Sequence, residues 1–80
     1  MTESENKILE IVRQLSQNPE VNVTIEQSLF ESGVLDSFGL PDLVSELERA
    51  FGVAIPDSDL MPRNFASIRG IDQYVSAKLR

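Results

Sequence analysis

The chain contains neither cysteine nor histidine among its 80 residues, and this limits both how it can fold and how it can react. No disulfide or thiolate metal site can reinforce a core that is near the lower size limit for a self-supporting domain. Helices satisfy their own backbone hydrogen bonds locally, so they are the economical architecture at this length. We therefore expect an all-α fold, a small bundle of three to four helices, forming a single domain over residues 1–80.

The absence of histidine also removes the usual general base for a serine nucleophile and the commonest transition-metal ligand. Lys7 and Lys78 lie in charged segments near the termini, unlike a desolvated catalytic lysine. The acidic stretch Asp57–Asp59 lacks the ligand spacing, the glycine and the terminal glutamate of a calcium-binding loop. We expect neither an enzyme nor a metal-binding protein.

The formal net charge of −6 makes nucleic acid a poor partner, because phosphate contacts require clustered lysine and arginine. An acidic protein of this size instead suits basic patches on other proteins. No apolar run is long enough to cross a bilayer, and the first residues lack a signal-peptide pattern. These features predict a monomeric cytoplasmic protein.

The first and last helices are predicted by their caps and apolar spacing. Thr2 and Glu5 fit a capping box, and Pro19 ends the helix that follows. Its apolar positions are Ile8, Ile11, Val12 and Leu15. Ser67 is the expected cap of the last helix. The apolar positions of that helix are Ile68, Ile71, Tyr74, Val75 and Leu79.

The middle helix has the clearest apolar pattern, but its start is open. Its apolar face contains Leu40, Leu43, Val44, Leu47, Ala50 and Phe51. Gly52 is a C-terminal stop. Asp36 could cap a helix that begins at Ser37. Pro41 would then fall in the second turn, so the regular helix could instead begin near Leu40, with Ser37 on a tight turn before it.

The segments between the helices are predicted to be irregular. Val21–Ile25 alternates like a strand, but no second run exists to pair with it. We therefore expect a long ordered loop between the first two helices, pinned by its apolar residues, with a helical turn around Ser28–Ser32. A short extra helix is expected before Pro62.

The segment from Leu29 to Gly39, Leu-Phe-Glu-Ser-Gly-Val-Leu-Asp-Ser-Phe-Gly, resembles the attachment segment of acyl carrier proteins. The sequences Val53-x-Ile55-Pro56 and Phe65-x-Ser67-Ile68 also match that family in register, so the resemblance covers nearly the whole chain. It implies that Ser37 is esterified by 4′-phosphopantetheine from coenzyme A, whose thiol holds acyl groups as thioesters. It also implies that Asp36 helps to position the metal of the modifying transferase.

The form of the attachment segment is similar to that of D-alanyl carriers and of stand-alone carriers in secondary metabolism. Gly33 precedes Asp36 by three positions, whereas carriers of fatty acid synthesis usually have a shorter spacing. Phe65 stands where the D-alanyl type usually has tryptophan, and Pro41 is unusual for all these groups. The resemblance leaves fatty acyl, amino acyl and polyketide-type cargo open.

The expected partners are a phosphopantetheinyl transferase, a loading ligase for acyl or aminoacyl groups, and acyl-transferring enzymes with basic patches. Nine acidic residues and one base, Arg49, lie between Glu20 and Asp59. The negative electrostatic field of these acidic residues would steer basic partners toward Ser37. The candidate docking residues are Phe38, Leu40, Asp42, Glu46 and Met61. The alternative function is an unmodified acidic helical module that only binds a partner protein.

The N-terminus of a helix suits a phosphate, because it presents free amide hydrogens and a partial positive charge. A serine at that place would also be accessible to a transferase. The Ser37 hydroxyl therefore decides between the two functions, because the interaction module does not need it.

Overall fold

The computed structural model describes residues 2–16 and 23–79, and only the backbone at Ser37 and Pro62. The described residues contain three α-helices: α1 (Glu3–Leu15), α2 (Leu40–Phe51) and α3 (Ile68–Leu79). Three short 3₁₀ helices, at Ser37–Gly39, Asp57–Asp59 and Pro62–Phe65, lie before and after α2. Residues 2–16 and 23–79 contain no strand, so the predicted all-α bundle is confirmed.

The predicted capping box starts α1. The Thr2 amide donates to the Glu5 carboxylate at 2.8 Å, and the Glu5 amide donates to the Thr2 hydroxyl at 3.2 Å. Ile8, Ile11 and Val12 are buried, as their spacing predicts. The predicted stop at Pro19, and the first part of the possible strand at Val21, lie outside the described residues.

The helix α2 begins at Leu40, with Gly39 as its N-cap and Pro41 in its first turn. The missing amide hydrogen of Pro41 removes no helical hydrogen bond at this place. Ser37 therefore lies on a tight turn before the regular helix, which was the second of the two possibilities. Gly52 ends α2 with φ 67°, a left-handed conformation that glycine adopts without steric strain, and its amide donates to the Glu48 carbonyl at 2.9 Å.

The core is built where α1 packs against both α2 and α3. Phe65, the largest fully buried side chain, lies in the 3₁₀ helix before α3 and contacts the Tyr74 ring at 5.2 Å between centroids. The other side chains below 2% exposure are Ile8, Val12, Leu29, Leu43, Leu47, Ile68, Ile71 and Val75. All three helices thus share one apolar core, to which the segment before α2 contributes Leu29.

The segment before α2 is tied to the start of α3 by its backbone. The Leu29 amide donates to the Ala66 carbonyl at 2.7 Å, and the Arg69 amide donates to the Ile25 carbonyl at 2.9 Å. The Ser32 amide donates to the Ser28 carbonyl at 3.2 Å, which confirms the predicted turn there. These bonds fix the chain that leads into Ser37.

The extra helix expected before Pro62 is instead a pair of 3₁₀ helices. The first spans Asp57–Asp59, and Pro62 opens the second, Pro62–Phe65. Proline lacks an amide hydrogen and so cannot continue a helix as a donor, but it fits the first position of a new one. Among the helices of residues 2–16 and 23–79, none is long and apolar enough to cross a membrane.

Candidate attachment site

Ser37 is the first residue of the 3₁₀ helix that runs directly into α2. Its neighbours on both sides, Asp36 and Phe38, are exposed, and Phe38 is 89% exposed. Two buried residues just before the turn, Val34 and Leu35, anchor it to the core. The Ser37 side chain lies outside the described atoms, so the exposure of its hydroxyl stays a prediction.

Asp36 stabilises this turn rather than capping α2 directly. Its carboxylate and its carbonyl oxygen each accept the Gly39 amide hydrogen, at 3.0 Å. The predicted role of Asp36 as the cap of α2 is corrected by this contact, because the 3₁₀ helix separates Asp36 from Leu40. In such turns a short polar side chain typically accepts a hydrogen bond from the backbone amide of a residue slightly later in the chain.

The start of α2 fits a phosphate group. Gly39, the N-cap, has no side chain that could cap the helix, and no side-chain hydrogen bond caps it. The first amides of a helix lack partners within the helix, and the aligned peptide dipoles give this end a partial positive charge. The Gly39 amide is already bonded to Asp36 and Pro41 has no amide hydrogen, so what this helix start offers a phosphate is mainly its partial positive charge. Asp42, exposed in the first turn, adds one negative charge of its own.

Four of the five candidate docking residues are accessible. Phe38 and Met61 are large apolar side chains, 89% and 39% exposed, and Asp42 is exposed. Glu46 is half-buried and forms an ion pair with Arg49, so part of its charge is neutralised. The prediction that Leu40 is accessible for docking is corrected: its side chain is only 8% exposed, because the first residue of α2 already faces the core.

A polar cluster that sequence reasoning missed joins the 3₁₀ helix Asp57–Asp59 to α3. The Tyr74 hydroxyl donates to the Asp59 carboxylate at 2.5 Å, and the Lys78 ammonium lies 3.5 Å from the same oxygen. The hydrogen bond from Tyr74 lowers the pKa of Asp59, and Lys78 lowers it further. Burial and the bond to Asp59 raise the pKa of Tyr74 to about 12. The only signal in the sequence was the position of Tyr74 on the apolar face of α3.

No group of three or more acidic side chains that could hold a metal ion exists among residues 2–16 and 23–79.

The sequence also matches known proteins. A family model described as "Phosphopantetheine attachment site" matches residues 6–75. A D-alanyl carrier protein of Lacticaseibacillus casei is 39% identical over 54 residues, which cover 68% of this chain and 67% of that protein. A D-alanyl carrier protein of Lactococcus lactis is 34% identical over 72 residues, 90% and 91% of the two chains.

A more distant relative matches over a longer stretch. Aminoacyl carrier protein 2 of Bradyrhizobium diazoefficiens is 26% identical over 77 residues, 94% of this chain and 85% of that protein. This match extends across all three helices.

Fold and site together define a small helical carrier protein, which is not itself catalytic. The chain belongs to the phosphopantetheine attachment family, and 4′-phosphopantetheine is its covalent cofactor.

Proposed function

We propose that this protein holds acyl or aminoacyl groups as thioesters on a phosphopantetheine arm at Ser37 and delivers them to partner enzymes. The observation that carries the proposal is the place of Ser37, between exposed Asp36 and Phe38, on the turn before an uncapped helix. The arm, when bound, supplies the thiol that forms the thioester. The protein supplies the attachment residue and a surface for recognition, while the cofactor carries the chemistry, as is general for cofactor-dependent proteins.

The residues around Ser37 would each have a separate task. The partial positive charge at the start of α2 would favour the phosphate that joins the arm to the serine. Asp36 keeps the turn in shape through the Gly39 amide, and its exposed side chain would face the metal of a transferase. Phe38, an exposed aromatic side chain next to the serine, would enter an apolar recess of an enzyme that acts on the arm.

Amino acids are the cargo that we propose. Relatives that cover most of this chain are D-alanyl and aminoacyl carrier proteins by name. The partners would be a phosphopantetheinyl transferase, an aminoacyl-loading ligase and enzymes that accept the aminoacyl group. We place this exchange in the cytoplasm, where coenzyme A supplies the arm, and propose that the carrier acts as a monomer.

Intact-mass spectrometry tests the attachment. The purified protein is incubated with coenzyme A, magnesium and a broad-specificity phosphopantetheinyl transferase. We expect one phosphopantetheine addition per chain and complete conversion, because one serine stands in the attachment turn. If a folded sample gains no mass with several transferases, the chain is instead an unmodified acidic module that binds a partner protein.

Reversing the charge of Asp42 should slow the transferase. Asp42 is exposed in the first turn of α2, and a charge at an interface rim changes mainly the association rate. We expect Asp42→Lys to lower kcat/KM about two- to fivefold at low salt, and less at high salt, since salt screens exposed charges. The measurement is kcat/KM against ionic strength.

Glu10→Lys is the matched control, because Glu10 is an exposed acid on α1. The control should leave kcat/KM close to the wild-type value. Equal losses for both variants, or a loss for Asp42→Lys that does not depend on salt, would contradict electrostatic steering at α2. Circular dichroism at the assay temperature checks that both variants are folded.

A further inference from the structure

The chain folds back on itself just before the attachment turn, in a loop whose two ends are hydrogen-bonded to each other. The Leu35 amide donates to the Leu29 carbonyl at 2.9 Å, which closes a loop of residues 29–35. At its entrance the Ser28 hydroxyl accepts the Glu31 amide at 3.2 Å, so the loop opens with one helical turn. We call residues 29–35 the closed loop.

The closed loop is fixed to the core at both ends. Leu29 is fully buried, and its amide donates to the Ala66 carbonyl at 2.7 Å, just before α3. At the other end, Val34 and Leu35 are both buried. Ser37 follows Leu35 by two residues, so the direction in which the loop ends decides where the attachment turn begins.

Gly33 allows the chain to reverse within this loop. Its φ of 82° lies in the left-handed region, and its amide donates to the Phe30 carbonyl at 3.3 Å. Glycine adopts this conformation without steric strain, whereas a residue with a β-carbon is strained there, a β-branched residue most of all. At Gly33 the helical turn ends, as helices commonly do at a left-handed residue, and the chain returns toward Leu29.

We propose that Gly33 is a positioning residue for phosphopantetheine transfer, because its left-handed conformation closes the loop that places Ser37. This inference rests on the proposed carrier function and adds a residue to the same reaction. In that reaction the Ser37 hydroxyl oxygen bonds to the phosphate that carries pantetheine and loses its proton. The pyrophosphate bond of coenzyme A breaks, and adenosine bisphosphate leaves. Gly33 acts on this step only through the backbone that leads to the serine.

Gly52 provides a matched control for Gly33. It also has a left-handed backbone, with φ 67°, but it ends α2 and lies outside the closed loop. A β-carbon added at either glycine would meet no atom within 4 Å beyond its chain neighbours, so alanine at each position strains only the backbone. An effect on transfer that is specific to Gly33 therefore does not come from lost stability alone.

Amide hydrogen exchange tests whether Gly33 closes the loop. We expect Gly33→Ala to speed exchange of the Leu35 amide about tenfold, the effect of one residue strained in the left-handed conformation. Gly52→Ala should leave the exchange rate of that amide unchanged. Equal acceleration in both variants, or none in Gly33→Ala, would overturn the proposal, because the loop would then not open as a unit of its own.

Transferase kinetics test whether the closed loop places the serine. We expect Gly33→Val to lower kcat about tenfold and to leave the KM for the carrier within about twofold, because a misplaced nucleophile reacts slowly while the surface of α2 is unchanged. Gly33→Asn should keep kcat within about twofold of the wild type, since asparagine tolerates the left-handed region. Gly52→Val should lower the urea midpoint of unfolding but leave kcat within about twofold.

The positioning role is overturned by an unchanged kcat in Gly33→Val, by an equal loss in Gly52→Val or Gly33→Asn, or by a rise in KM alone. Circular dichroism at the assay temperature shows whether each variant is folded. If Gly33→Val is not, Gly33→Ala replaces it, with kcat expected to be about threefold lower. A folded wild type that accepts no arm would instead refute the carrier function, and the exchange rates would still decide whether Gly33 closes the loop.

Discussion

Replacing Phe65 with alanine should destabilise the protein by about 3 to 5 kcal/mol, the usual cost of removing a fully buried phenylalanine. Phe65 has no exposed surface and packs against the Tyr74 ring at a centroid distance of 5.2 Å. Small domains have about 5 to 15 kcal/mol of total stability, so this loss is a large share of it. Urea unfolding followed by far-ultraviolet circular dichroism measures the change.

The matched control is Phe38→Ala. Phe38 is 89% exposed, and truncating it should change stability by less than about 0.5 kcal/mol. The two variants remove the same atoms, so the difference between them reports burial alone. Similar costs for both, or a cost below about 1 kcal/mol for Phe65→Ala, would show that the core is not packed as described.

Ser37→Ala should abolish phosphopantetheine addition entirely. The change removes the hydroxyl oxygen that would form the phosphodiester, and alanine offers no other nucleophile. Intact mass before and after incubation with coenzyme A, magnesium and the transferase gives the modified fraction. Since the effect is a complete loss, it is the largest functional change that we predict.

Ser45→Ala is the control for that experiment, because Ser45 is an exposed serine on α2. It should be modified as fully as the wild type. Residual modification of Ser37→Ala would contradict the assignment, and loss of modification in Ser45→Ala would point to a defect of α2 instead of the attachment residue.

The regular elements could be predicted from sequence because their signals are local. The capping box at Thr2 and Glu5 is made as expected, and the Ser67 hydroxyl accepts the Gly70 amide at 3.0 Å at the start of α3. The start of α2 could not be decided, since Pro41 suits either the first turn of one helix or an interruption of a longer one.

The contacts that were missed depend on residues far apart in sequence. Tyr74 and Asp59 are 15 positions apart, and the Ser4 hydroxyl donates to Asp72 across 68 positions, at 2.5 Å. Residue types alone do not indicate which distant polar groups will meet. Leu40 was named both on the apolar face of α2 and at the docking surface, and its burial agrees with the first of these predictions.

The prediction of the attachment site rests on a different kind of signal. An Asp-Ser pair before a helix is common, because both residues are good helix caps. The prediction depended on further matches in register after α2 and around Ser67, and the family match over residues 6–75 agrees with them. The prediction makes attachment depend on the Ser37 hydroxyl, and phosphopantetheine transfer tests it.

Fragmentation of the modified protein in a mass spectrometer is the most direct test. The wild type is treated with coenzyme A and transferase, and the fragments locate the added mass along the chain. Attachment to Ser37 is the predicted result. Added mass on any other serine, such as Ser32 or Ser45, would contradict the account, and so would a folded chain that accepts no arm.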